Sequence, residues 1–256
     1  MRSPPRSWRC PGPAPSYDES VKRAVLVGVL ALVGPLLFPP ASGASTPTCF
    51  GQPATIVGTS GNDNLQGTPG DDVIVGLGGF DGIFGNGGFD RICGGSGGSI
   101  IDVSADSGSK IAGGSGEDLV RGSPGSDRIL TKGGPDGITA SLGQDYVNGG
   151  PGEDTLNFVD ISFHDRLTVD LQTGTATGYG SDTIVGIEDV YGAPAAPNRM
   201  TGDDGPNKLY GGHRKDVISG LGGDDYLDGR DGIDSLDGGD GTDTCVNGET
   251  VSNCEN

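Results

Sequence analysis

Residues 58–102 read GTSGNDNLQ, GTPGDDVIV, GLGGFDGIF, GNGGFDRIC and GGSGGSIID, five consecutive units of nine residues without a gap. The register returns at 113–157 as GGSGEDLVR, GSPGSDRIL, TKGGPDGIT, ASLGQDYVN and GGPGEDTLN. It returns again at 202–246 as GDDGPNKLY, GGHRKDVIS, GLGGDDYLD, GRDGIDSLD and GGDGTDTCV. Across these fifteen units position four is Gly except at Arg214, and position six is Asp except at Ser99 and Asn207. Position eight is Leu, Ile or Val except at Cys245. Three columns locked to one period mean that one structural unit is being repeated.

A glycine-rich half adopts the left-handed backbone of a tight turn, and a short half with one central aliphatic makes a brief strand. One unit alone buries almost nothing. Two units make one coil, and stacked coils place the position-eight side chains, from Leu65, Ile74, Ile83, Ile92 and Ile101 onward, in a thin core between two parallel sheets. The expected fold class is all-β, a parallel β-roll.

Composition agrees with a thin core. Hydrophobic residues make up 32% and aromatics 5%, too few for a thick globular interior, so something besides apolar burial must hold the fold. Without the period, 51 Gly and 17 Pro would indicate low complexity. Sixteen Lys and Arg stand against 35 acids, a formal charge of −19, which excludes a nucleic-acid binder held by phosphate contacts. Of the acids 29 are Asp and only six are Glu, and the shorter acid suits turns and metal loops.

Turns stacked on one side of a roll come from units n and n+2, so their position-six carboxylates face one another among glycine carbonyls. Such a cage of hard oxygens suits calcium, which takes about six to eight oxygens at roughly 2.3–2.6 Å; magnesium resists losing water, and zinc prefers nitrogen or sulfur. The candidate ligands are Asp63, Asp72, Asp81, Asp90, Asp118, Asp127, Asp136, Asp145, Asp154, Asp216, Asp225, Asp234 and Asp243. Complete pairs are Asp63 with Asp81, Asp72 with Asp90, Asp118 with Asp136, Asp127 with Asp145, Asp136 with Asp154, Asp216 with Asp234, and Asp225 with Asp243. The pairing suggests about seven Ca2+ ions. Without metal the Asp rows repel, so binding and folding are expected to be linked.

The pattern GGxGxDxUx resembles the nonapeptide of the repeats-in-toxin (RTX) family, over about 135 residues. The resemblance implies a calcium-binding RTX-type β-roll. Residues 167–193, LTVDLQTGTATGYGSDTIVGIEDVYGA, resemble the spacer found between RTX blocks. The flanks TCFGQPATIVGT (48–59) and DTCVNGETVSNC (243–254) are similar to those of Sec-exported RTX-like proteins of high-GC Gram-positive bacteria.

The expected organisation is a signal peptide at 1–44, an N-terminal cap at 45–57, a first repeat block at 58–157, a spacer at 158–201, a second block at 202–246 and a C-terminal cap at 247–256. Residues 24–38, AVLVGVLALVGPLLF, follow Lys22 and Arg23 and precede small residues ending at Ala44, the pattern of a cleavable secretory signal. Val21 is an alternative start. Four cysteines follow, Cys49, Cys93, Cys245 and Cys254, open to three connectivities; the nine-residue spacing favours Cys245 with Cys254 and leaves Cys49 with Cys93. The caps are expected to carry these disulfides and to protect the roll's ends.

Inside the first block, residues 103–112 form a degenerate unit with Val103 inserted, Ile111 in the apolar column and Ser107 and Ser109 in the turn; the stack is expected to continue there without metal. In the spacer, Leu167, Val169 and Leu171 alternate as a strand, Ile184, Ile187 and Val190 extend the sheets, and Ala193–Thr201 reads as a metal-free unit with Met200 in the core. A bend is expected there. Arg214, beside His213, is expected to leave its turn distorted or poor in metal.

Catalysis is not expected. GGSGG at 94–98 matches a nucleophile elbow only formally, since no helix pattern follows Ser96. His164 reads as a surface histidine. The leading reading is a secreted, extracellular, monomeric calcium-binding protein. The alternative is a cell-surface adhesion or envelope module, with Phe80, Phe84 and Phe89 as its partner patch.

Overall fold

Successive repeats send their strands alternately to two sheets in this computed structural model, which describes residues 45–158, 165–178 and 180–255. The expected signal segment and His164 lie outside the described residues. Val73–Gly78 pairs in parallel with Asp90–Ser96, while the intervening Asp81–Phe84 pairs with Asn64–Gln66 and Ser99–Asp102. Partners in register are two repeats apart: Ile74 with Ile92, Ile83 with Ile101, Ile218 with Leu236 and Leu227 with Cys245. The result is a β-roll of one ten-stranded and one thirteen-stranded sheet.

Side chains alternate across a strand, so the central aliphatic of each unit points inward and its neighbours outward. Ile74, Ile83, Ile92, Ile101, Ile138 and Leu209 are fully buried, whereas Ile100 and Leu119 beside the column are exposed. Each buried aliphatic contributes about 1.5–3 kcal/mol. The column is one residue wide, which leaves the turns to supply the remaining order.

Two turn forms recur, set by position two. Thr59, Thr68 and Ser123 offer a hydroxyl oxygen to the position-four N–H of Gly61, Gly70 and Gly125, closing a local side-chain turn. Leu77, Asn86, Lys132, Leu221 and Arg230 instead enter the left-handed region at position two, and the glycine two residues on follows at Gly79, Gly88, Gly134, Gly223 and Gly232. That second form needs glycine at position four, because a Cβ there is strained at positive φ. Arg214 belongs to a turn whose backbone stays out of the left-handed region at this position. Its expected distortion is therefore absent: the Gly212 N–H still reaches Asp216 Oδ2 at 2.6 Å.

The sheets run on into the segments that flank the repeats. Ile56–Val57 already pairs in parallel with Val73–Gly78, and Thr250–Ser252 pairs with Ser235–Asp240, so both cap segments contribute a rung of sheet. Thr48–Cys49 and Gln52–Pro53 form a small antiparallel hairpin before the first rung. Disulfides join Cys49 to Cys93 and Cys245 to Cys254. The degenerate unit continues the stack, with Ile111 between Ile92 and Ile129.

The spacer departs from the roll on one side only. The ten-stranded sheet passes from Thr155–Asn157 to Asp189–Tyr191 and then to Lys208–Tyr210. The other sheet inserts Thr175–Thr177 and Leu167–Asp170 between Ser181–Val185 and Asn198–Thr201, and Thr175–Thr177 runs antiparallel to both neighbours. At about 4.8 Å per strand, these two extra strands add about 10 Å to that sheet. Phe158, Leu167, Val169, Ala176 and Ile187 are buried here, in one cluster with the aliphatics of the repeat column.

Candidate metal centres

The position-six acids form two rows, one along each edge of the roll. In every anticipated pair the backbone N–H of the first Asp donates to Oδ1 of the second, at 2.7–2.9 Å: Asp63 to Asp81, Asp72 to Asp90, Asp118 to Asp136, Asp127 to Asp145, Asp136 to Asp154, Asp216 to Asp234 and Asp225 to Asp243. One carboxylate oxygen of each second partner thus ties neighbouring coils together. The other oxygen decides what the turn can bind.

In the turns of Asp63, Asp72, Asp118, Asp127 and Asp216, that Oδ2 accepts the position-two N–H of its own turn at 2.6–2.7 Å. For Asp145 the Ser141 hydroxyl donates to it at 3.2 Å. These turns are closed at Oδ2, although Asp118 buries its Oδ1 without a hydrogen-bond partner. Where position two is left-handed, at Leu77, Asn86, Lys132, Gly150, Leu221, Arg230 and Gly239, that N–H is turned elsewhere. The matching acids Asp81, Asp90, Asp136, Asp154, Asp225, Asp234 and Asp243 each bury an Oδ2 without a hydrogen-bond partner. These turns are open.

Most open turns pair the bare oxygen with a carbonyl from the next coil across a glycine. A Cβ on Gly76 would strike both Asp81 Oδ2 and the Gly94 carbonyl; Gly149, Gly220, Gly229 and Gly238 stand in the same relation to Asp154, Asp225, Asp234 and Asp243. Glycine is required because the gap belongs to oxygens of two coils. At Asp136 the place is held by Thr131, whose hydroxyl donates to the Gly149 carbonyl at 2.8 Å.

Burial makes these carboxylates reluctant to ionise. Loss of water pushes the carboxyls of Asp90 and Asp145 up to about 7, and those of Asp118, Asp154 and Asp225 up to about 6. Neighbouring acids push the same way, Asp72 and Asp106 on Asp90 and Asp243 on Asp225. A divalent cation reverses both effects.

The donor set fits calcium. It consists of unpartnered carboxylate oxygens and main-chain carbonyls, hard oxygens of the kind calcium takes, without the nitrogen or sulfur that zinc prefers.

The structure also adds acids that the nonapeptide register did not mark. Asp145 N–H donates to Asp182, Asp154 to Glu188, Asp234 to Glu249 and Asp243 to Glu255, so each row runs on past its last consensus Asp. The signal was present as an acid two residues before an aliphatic, Asp182 before Ile184, Glu188 before Val190 and Glu249 before Val251. Asn198 and Asn207 hold the corresponding rungs with amides, donating their N–H to Asp216 and Asp225.

A family model of the RTX calcium-binding nonapeptide repeat matches residues 55–83, 66–101, 107–138, 121–156, 196–226 and 214–245, more than half of the chain. The chain belongs to this RTX family. No curated protein matches it. The expected RTX-type β-roll with two disulfides is the fold observed.

Two sequence-level candidates change in the RTX roll. Phe80 sits in the turn before Asp81–Phe84 and Phe89 in the turn before Asp90–Ser96, strands of different sheets, so they lie on opposite edges and form no common patch. Only Phe80 is exposed among the three. Ser96 ends a strand, donates its hydroxyl to the Leu77 carbonyl at 3.2 Å, and is followed by another strand. His213 Nδ1 lies 2.9 Å from Asp231, both exposed.

Proposed function

We propose that this is a secreted, non-enzymatic calcium-binding protein whose roll becomes ordered as Ca2+ fills the open turns. The observation that carries the reading is the set of seven buried Asp Oδ2 atoms without a hydrogen-bond partner. Asp81, Asp154, Asp225, Asp234 and Asp243 would hold calcium with the carbonyls facing them. Asp90 and Asp136 complete the open set. Asp63, Asp72, Asp118, Asp127, Asp145 and Asp216 would serve as the neighbouring carboxylates and bind after their turns open. Bound calcium would neutralise charge that the thin core cannot offset.

Secretion is supported by the N-terminal signal pattern and by the two disulfides, which require an oxidising compartment. Calcium outside cells is abundant enough for folding to follow export. Circular dichroism of the chain in chelator and then in calcium tests the reading. The expected result is a disordered spectrum that turns β-rich with calcium and far less with magnesium. A fully β-rich spectrum in chelator at neutral pH would sink it.

A further inference from the structure

The unit at 103–112 has lost both the glycine and the aspartate columns, and Ser109 stands where the next acid of its row belongs. The chain compensates from another position. The Asp106 N–H donates to the Val103 carbonyl at 2.8 Å, a tight turn that tucks this acid inward until it is only 4% exposed. Its Oδ1 accepts the Gly87 N–H and its Oδ2 the Ser109 hydroxyl, each at 2.8 Å.

This carboxylate neighbours Asp90, the open-turn acid of the preceding coil. Asp90 is fully buried; its Oδ1 accepts the Asp72 N–H at 2.9 Å, and its Oδ2 has no partner. The two residues meet beside Gly85, where an added Cβ would lie 2.6 Å from Asp106 Oδ1 and 2.6 Å from Asp90 Oδ2, and against Asp106 Oδ2 as well. At Gly76, Gly149, Gly220, Gly229 and Gly238 the next coil presents a carbonyl at this place. Here alone among these open turns it presents a carboxylate. The adjacent Arg91 does not neutralise the pair in a tight contact, since its guanidinium lies over the Phe89 ring, 5.5 Å from the centroid.

We propose that Asp90 and Asp106 form a two-carboxylate calcium site in the unit that the repeat pattern marks as metal-free. Two acids buried against one another without a counter-charge repel strongly, and a hard divalent cation between them removes the repulsion while using the unpartnered oxygen. Affinity for calcium rises with ligand charge, so this site would fill before the carbonyl-faced turns. The inserted Val103 shifts the register so that Asp106, three residues before Ser109, reaches the row. The proposal rests on the reading that the roll binds calcium.

The test counts calcium on the full chain by equilibrium dialysis and native mass spectrometry at pH 7.5. Asp106→Asn should bind one ion fewer, losing the tightest, with its β-rich spectrum in saturating calcium retained. Asp165→Asn, an exposed acid of the spacer, and Ser109→Ala, which keeps both carboxylates, should retain the full count. An unchanged count and unchanged tightest affinity in Asp106→Asn would overturn the site in favour of a proton shared by the two acids. Should that variant fail to fold, the wild-type chain gives the answer: with substoichiometric Mn2+ the Gly87 amide resonance should broaden first, and its staying sharp while others broaden overturns the site. A wild-type chain that binds no calcium would instead sink the broader reading.

Discussion

The N–H of Asp225 donates to Asp243 Oδ1 at 2.8 Å, while Asp243 Oδ2, equally buried, accepts nothing. One oxygen of the same carboxylate is structural and the other is free for a ligand.

Asp225→Asn should reduce calcium stoichiometry or cooperativity in calorimetry more than Asp216→Asn. Both variants keep an oxygen able to accept the N–H of the preceding coil, from Asn207 or Asn198. Asp225 has an unpartnered Oδ2, whereas that of Asp216 already accepts the Gly212 N–H. Equal losses would contradict the distinction between open and closed turns.

Gly220→Ala should lower the stability of the calcium-loaded protein by about 1–3 kcal/mol, the usual cost of overpacking a site that cannot give way. Its Cβ would strike Asp225 Oδ2 and the Gly238 carbonyl together. Gly61→Ala meets nothing nearer than Thr59 Oγ1 at 3.8 Å and should be close to neutral. Thermal unfolding in excess calcium compares the two, and a neutral Gly220→Ala would remove the steric argument.

Acid should partly replace calcium. The folded-state carboxyls of Asp90, Asp118, Asp145, Asp154 and Asp225 are raised, to about 6 or 7, above the roughly 3.9 of an unfolded Asp. A raised carboxyl favours the protonated, folded state, so its stabilisation is complete below about pH 4 and is lost as pH rises through about 6–7. In chelator, circular dichroism should therefore show more β structure at pH 4.5 than at pH 8. Calcium binding near pH 6 should release protons, seen as a heat that changes with buffer ionisation enthalpy; no release would argue against protonated turns.

Reduction should loosen the ends before the middle. Cys49–Cys93 ties the first hairpin to an early strand, and Cys245–Cys254 folds the last segment onto the core column. Loop-closure entropy gives about 2–4 kcal/mol for each. With calcium bound and dithiothreitol present, amide exchange should rise first at 48–57 and 244–255 while 136–148 stays protected. Uniform exchange along the chain would show that the ends are held by something else.

The nonapeptide columns alone determined the two-sheet roll, the inward position-eight aliphatics and the seven consensus Asp pairs. A short period makes each residue's neighbour its own counterpart two units later, so local sequence already encodes the long-range contact. The tertiary structure decided the rest. Asp182, Glu188, Glu249 and Glu255 join the rows because the chain returns to register after segments of irregular length, which no fixed spacing announces. Asp106 reaches Asp90 through one inserted residue and one turn, and Phe80 parts from Phe89 because alternate turns fall on opposite edges. Which carboxylates keep an unpartnered Oδ2 follows from the sign of φ at position two, where leucine, lysine and arginine adopt a left-handed backbone that stacking against neighbouring coils imposes on them. Residue preference at those positions opposes that conformation, so only the assembled roll reveals it.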